Sequence, residues 1–141
     1  MPNLPGSQAD PVVTVVVAAF NVAEYLDEAL FSIRRQSLEA IEILVVDDRS
    51  TDTTRARLSR HEEDDARMRI IDGAGRGPAA ARNLAIAQAR GRWIAIVDAD
   101  DVIAPDRLAR MTADAERSSA DAVADNMIAF YEGDPSCDHP W

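Results

Sequence analysis

Three carboxylates fall within four residues at Asp98-Ala99-Asp100-Asp101, and two more stand side by side at Asp47-Asp48. The one-residue spacer in Asp98-x-Asp100 lets two carboxylates converge on one ion. Divalent Mg2+ and Mn2+ prefer oxygen ligands and commonly take one or two carboxylates together with phosphate oxygens. The plainer role for an Asp is to cap a helix, which suits Asp52. Three acids in four residues exceed what one cap needs. Arg82-Asn83 adds a guanidinium, whose planar fork matches phosphate or carboxylate; its plainer role is a solvated helix surface.

These groups can work together only if the fold brings them to one place. Val12 to Ala19 is a nearly continuous β-branched run, which predicts a strand covered on both faces. Ile41 to Val46 is a second strand, Met68 to Ile71 a short third and Arg92 to Val97 a fourth. Asp121 to Tyr131 reads as a last strand. Between them lie helical patterns. Asn21 with Glu24 forms a capping box for the first, which carries Val22, Leu26, Ala29, Leu30 and Ile33. Arg49 to Asp52 turns into a second. Pro78 opens a third, Ala-rich helix over about 78–90, ended by Gly91. Pro105 opens a fourth with Leu108, Met111 and Ala115.

Strands alternating with helices predict an α/β fold, a mostly parallel sheet with helices on both faces. In such sheets ligands bind at the carboxyl ends of the strands. Both acidic clusters fall there, after runs expected to be deeply buried. Residues 1–11 read as a flexible leader, 12–131 as one domain and 132–141 as an irregular tail.

Bulk properties narrow the function. The net charge is −10, which disfavours nucleic acid as a partner. Every one of the fifteen basic residues is Arg. The absence of Lys excludes Schiff-base chemistry, a phosphate-loop Lys and the Lys of phosphoreceiver domains. Cys137 stands alone, so neither an internal disulfide nor a thiolate cluster forms, and a reducing compartment is expected. The N-terminus lacks the pattern of a signal peptide. The run Val12 to Phe20 is too short to span a bilayer. Bland readings suit the remaining features: His61 solvent-facing on its helix, Trp93 packing, His139 and Cys137 in the tail.

Four segments, in order, closely resemble the family 2 glycosyltransferases of the GT-A fold. They are Val15 to Asn21, Val45 to Asp52, Gly77 to Asn83 and Trp93 to Asp101, with Pro105 to Leu108 also similar. The resemblance runs from about residue 12 to residue 131 and implies a Rossmann-like nucleotide-binding half. It also implies roles. Ala18 and Phe20 would line the base and ribose pocket, Asp48 would hydrogen-bond the nucleobase, and Arg82 would help hold the nucleotide. Asp98 would sit near the ribose and metal, and Ala99 would contact the nucleotide sugar. Asp100 would be the main metal ligand, with Asp98 and Asp101 beside it. The implied cofactor is Mn2+ or Mg2+, and the implied donor a nucleoside-diphosphate sugar, commonly a UDP-sugar. The acceptor would be a saccharide or a lipid-linked sugar, with transfer inverting, in bacterial surface or exopolysaccharide synthesis. A cytoplasmic location is expected, at the inner face of the membrane if a further portion associates with it.

Three departures from the family pattern stand out. Arg49 replaces a common Gly, so that turn is expected not to need a positive φ. Gly75 replaces a common Asn, and Phe20 a common Tyr. Relatives usually run longer, and their second half carries the acceptor site and the catalytic base. No catalytic base is identifiable here, so the chain is expected to be a donor-binding portion, weakly active by itself, with an exposed apolar surface favouring a homodimer. Other readings compete less well. Gly73-x-Gly75-x-Gly77 follows the third strand and lacks the last Gly of a dinucleotide fingerprint. A nucleotidyltransferase would carry a Gly-rich loop and a basic residue where Ala18-Ala19-Phe20-Asn21 stands. An assembly domain without activity is the remaining alternative.

Overall fold

The computed structural model describes residues 10–127. Most of the expected leader, the whole tail, Cys137 and His139 lie outside them. The β-branched runs form four strands: β1 (Val13–Ala19), β2 (Ile41–Asp47), β3 (Met68–Asp72) and β4 (Trp93–Ile96). Between and after them run α1 (Ala23–Arg34), α2 (Thr54–Asp64), α3 (Pro78–Ile86) and α4 (Arg107–Ser118). All pairings are parallel and the strand order is β3-β2-β1-β4. The expected last strand is not formed over 121–127, where the chain is irregular; 128–131 lie outside the described residues.

Strand alternation sorts the core into two layers. Val13, Val15, Val17, Ile43 and Val45 pack with Leu26, Leu30 and Ile33 of α1, Leu58 of α2 and Leu108 of α4. Val16, Leu44 and Val46 point the other way and meet Ala81 and Ala85 of α3. Helices therefore cover both faces, as expected. The small residues of α3 let it lie close on the strands. The fully buried Leu26, Leu30 and Ile33 each contribute about 1.5–3 kcal/mol of burial. β4 departs from the expected deep burial. Trp93 and Ala95 pack on the first layer, while Ile94 and Ile96 remain 40% and 42% exposed on the α3 side. α3 lies over β1 and β2 and leaves that face of β4 uncovered.

The link from β3 to β4 passes β2 and β1, so strand order reverses between β1 and β4. The chain leaves β1 through α1 on one face and reaches β4 from α3 on the other. A crevice at the carboxyl ends of the strands results. At the opposite end of the sheet a buried polar cluster fixes β4. Glu42 accepts hydrogen bonds from Thr14 Oγ1, Arg90 N and Arg90 Nε, and Thr14 Oγ1 accepts from Gly91 N. α3 ends at Ile86, before the expected limit near residue 90, because the chain must turn there to deliver Arg90 and Gly91 to these partners.

His61 is buried rather than solvent-facing. Arg34 NH1 can only donate, so His61 Nδ1 accepts at 3.0 Å and Nε2 carries the proton toward Asp27 Oδ1, also at 3.0 Å. Phe31 closes over the ring edge-on. α1 thus draws a polar residue of α2 into the interface by satisfying both ring nitrogens.

Candidate functional site

A hollow of about 200 Å3, partly open to solvent, lies at the carboxyl ends of β1 and β2. Ala18, Ala19, Phe20, Asp48, Gly75, Gly77 and Pro78 line it. Phe20 follows β1 and is 57% exposed, an aromatic face available for stacking. Asp48 follows β2 and is buried. Its Oδ1 accepts from Gly75 N and its Oδ2 from Gly77 N, each at 2.7 Å. Two charge-assisted bonds thus fold the glycine loop over the carboxylate. Gly75 and Gly77 hold φ of 71° and 88°, which glycine adopts without penalty. Gly73 is needed for closeness: a Cβ there would lie 2.5 Å from Asp48 Oδ1 and 2.7 Å from Asp48 Cα.

Asp47, beside Asp48, has a different task. Its Oδ1 accepts from Ser50 N, and its Oδ2 faces Arg55 at 3.6 Å. It shapes the turn and leaves the site to its neighbour.

The second acidic cluster sits past β4. Arg82, in the second turn of α3, donates NH2 to Asp98 Oδ1 at 2.6 Å. Arg82 Nε is covered and has no hydrogen-bond partner among the described residues. Arg82 and Asp98 come from elements on either side of the strand-order reversal, and the fold brings them into contact. Ala99 is buried in the core, so only its backbone could reach a ligand. Asp100 is exposed and Asp101 half-buried. These acids do not cap the next helix, since Asp106 occupies the N-cap of α4. Burial, and then the charges of Asp100 and Asp98, raise the Asp101 carboxyl above its ordinary range, with Arg107 opposing. The segment is thus a concentration of like charge in which Arg82 pairs with one member. Among the described residues no three His, Cys, Asp or Glu side chains form a ready-made metal cage.

Ser32 of α1 and Gln36, just past its end, hold the chain that follows this segment. Gln36 Nε2 donates to Ala104 O at 2.7 Å, and Gln36 Oε1 accepts from Leu108 N at the start of α4. Ser32 Oγ accepts from Ile103 N.

Several expectations change here. The capping box at Asn21 and Glu24 is not formed: Val22 is the N-cap of α1 and no side chain of its own helix caps it. Asn21 Oδ1 instead accepts from Thr51 N at 2.8 Å, and from Thr51 Oγ1 and Asp52 N at 3.3 Å. Asp52 does cap its own helix through Thr54 N, but its second oxygen also takes Ala23 N of α1. Arg49 has a φ of 67°, so the turn requires the left-handed conformation despite carrying Arg. Gly75, where relatives commonly have Asn, uses its backbone N–H to reach Asp48. The roles of Gly75 and Gly77 went unnoticed in the sequence, although their spacing beside a strand end was a signal.

Comparison with known proteins is consistent with this geometry. The sequence model described as glycosyl transferase family 2 matches residues 14–141. The succinoglycan biosynthesis protein ExoO of Rhizobium meliloti (strain 1021) is 42% identical over 125 residues, covering 89% of this chain and 36% of ExoO. The uncharacterized glycosyltransferase EpsJ of Bacillus subtilis (strain 168) is 36% identical over 122 residues, covering 86% of this chain and 35% of EpsJ. This chain therefore spans about a third of the length of these relatives. Among solved structures, S. aureus TarS 1–349 in complex with UDP-GlcNAc has a TM-score of 0.69 at 29% identity, covering 74% of this chain and 31% of TarS 1–349. The mannosyltransferase PcManGT from Pyrobaculum calidifontis, in complex with GDP-Man and Mn2+, has a TM-score of 0.65 at 32% identity, covering 76% of this chain and 33% of PcManGT.

Proposed function

Because this chain belongs to glycosyl transferase family 2, we propose that it forms the donor-binding half of a glycosyltransferase that uses a nucleoside-diphosphate sugar, a UDP-sugar by preference. The observation that carries this reading is the hollow lined by Phe20 and Asp48, in a fold that also pairs Arg82 with Asp98 past the carboxyl end of β4. Phe20 would stack on the base or ribose. Asp48, already held by Gly75 and Gly77, would present its remaining lone pairs to a base N–H. The diphosphate would then extend toward Arg82, whose unbonded Nε is a donor awaiting an oxygen.

Asp100 and Asp98, with Asp101 beside them, would hold a divalent cation such as Mn2+ or Mg2+. The donor set fits: oxygen ligands, crowded negative charge, and fewer than three converging side chains, which leaves positions for diphosphate oxygens. Bound there, such an ion would supply Lewis-acid stabilisation of the leaving diphosphate. For Asp98 to serve, Arg82 must loosen its ion pair and turn toward the phosphates. Acceptor binding and the general base that deprotonates the acceptor hydroxyl are assigned to the portion corresponding to the rest of the relatives' length. The acceptor class we propose is a saccharide or lipid-linked sugar of a bacterial surface polysaccharide. Among the described residues no helix is long and apolar enough to cross a membrane. We assign the chain to the cytoplasmic side, where nucleotide sugars would reach it.

Calorimetric titration with UDP in Mn2+, in Mg2+ and in EDTA tests the reading. UDP should bind in a metal-dependent way, and Asp100→Ala should weaken binding in Mn2+ by about tenfold or more. No binding of UDP or GDP under any condition would overturn the assignment. With the full-length protein, release of a nucleoside diphosphate rather than pyrophosphate separates glycosyl from nucleotidyl transfer.

A further inference from the structure

The loops that follow β1 and β2 are tied to each other before either reaches its own helix. Asn21 N donates to Ser50 Oγ at 3.1 Å, Val22 N to Thr54 Oγ1 at 3.0 Å and Ala23 N to Asp52 Oδ2 at 3.3 Å. In return Asn21 Oδ1 accepts the three donors of Thr51 and Asp52. Beneath them, Asp48 N donates to Ala19 O at 2.8 Å. The N-terminus of α1 is thus capped by the loop that starts α2, and that loop is organised by the residue that precedes α1.

Asn21 is the centre of this clasp. Its φ is 51°, in a left-handed region that Asn tolerates better than other residues with a side chain. That conformation aims its carbonyl at the neighbouring loop. The immediately preceding residue is Phe20, and Asp48 lies two positions before Ser50. Phe20 and Asp48 both line the hollow. Exposed Phe20 has little packing of its own to hold it, so its placement relative to Asp48 depends on the clasp.

We propose that Asn21 is a positioning residue for the nucleobase end of the donor site: it touches no ligand and sets the separation of Phe20 and Asp48. The inference rests on the donor-site reading above. It implies a division of labour. The base end is set by the clasp, whereas the diphosphate end is set by Arg82 and the Asp98–Asp101 segment, which Gln36 and Ser32 anchor independently.

The test uses the 141-residue chain and two probes, UDP and inorganic pyrophosphate, each with Mn2+. Asn21→Gly keeps the backbone freedom and removes the carbonyl; Asn21→Asp keeps the acceptor. Asn21→Gly should weaken UDP about tenfold, as expected for losing a shared acceptor, while pyrophosphate affinity changes less than about twofold. Asn21→Asp should restore most of the UDP affinity. Thermal unfolding of each variant shows that it folds. Equal UDP affinity in Asn21→Gly and wild type would overturn the inference while leaving the donor site standing. A parallel fall for UDP and pyrophosphate would assign Asn21 a general structural role and overturn it too. Failure of the wild-type chain to bind UDP at all would sink the donor-site reading itself, and this inference with it.

Discussion

Replacing Asp48 by Asn changes little in volume and much in bonding. Asp48 is 6% exposed, and its two oxygens take one backbone N–H each, from Gly75 and Gly77, at 2.7 Å. A bond from N–H to a charged acceptor contributes about 1.5–3 kcal/mol. Asn keeps one oxygen, whose bond weakens to about 1 kcal/mol, and turns an NH2 toward the other N–H, donor against donor. The net loss is about 2–5 kcal/mol, concentrated in residues 75–77, because two glycines with positive φ have no side chains to hold the loop otherwise. Amide exchange followed by NMR reads this directly. A loss of 2 kcal/mol in local opening speeds exchange by about 30-fold, so the Gly75 and Gly77 amides should exchange at least that much faster. Those of Val16 and Val45, in the centre of the sheet, should change little. UDP affinity should fall with the loop. Unchanged exchange at Gly75 and Gly77 would refute the view that Asp48 anchors this wall. Uniform acceleration across the sheet would refute its local character.

Three further outcomes follow from the same geometry. Asp65 receives Nε and NH2 of Arg67 and also faces Arg34, and the Arg67 hydrogen bond holds its carboxyl below the ordinary value of 3.8. A depressed folded pKa gives stability that is full above the unfolded value and lost as pH falls through the folded one. Asp65→Asn should therefore cost about 1–2 kcal/mol at pH 7, with the gap closing at acid pH; urea midpoints from pH 7 to pH 2 check this, and a pH-independent gap would contradict it. Gly91→Ala places a Cβ against Thr14 N and Val13 C, backbone atoms of the central strand, and should cost about 3 kcal/mol or more in urea unfolding. Arg49→Gly relieves a left-handed φ and should be neutral or stabilising by up to about 1 kcal/mol; a clear loss of stability would mean that the Arg49 side chain lying along Gly75 matters more than its backbone strain.

The strands were legible because β-branched runs with both faces buried leave few alternatives: β1, β2 and β3 match their expected limits within about a residue at each end. So was the placement of the acids at strand ends; the ion pair of Arg82 with Asp98 was not. What escaped the sequence depends on partners distant along the chain. Asn21 and Glu24 satisfy a local capping rule, yet Asn21 gains three donors from a loop some thirty positions later, which outweigh one local bond. His61 stands in a strongly polar helix, and only the arrival of Arg34 and Asp27 from α1 makes its burial affordable. Arg49 shows that a turn can impose a positive φ on a residue that disfavours it. The segment 121–127 carries Val123 as its one β-branched residue among Asp, Asn and Ala, which strands disfavour, and no strand of the sheet takes it up as a partner.

The order of strands also has a temporal side. Val13 pairs with Ile41 early in the chain, but with Trp93 only after most of it has been made. Closing the larger loop costs more entropy, and contacts distant in sequence slow folding. β1, α1 and β2 should therefore form the nucleus, with β4 joining late. Substitutions at Val45 should slow folding, whereas those at Ala95 should chiefly speed unfolding. The base end of the hollow would then exist before the acidic end. A newly made chain would hold a shaped surface for the nucleobase while Asp98 to Asp101 were still unplaced, and ligand capture would report on completion of the fold.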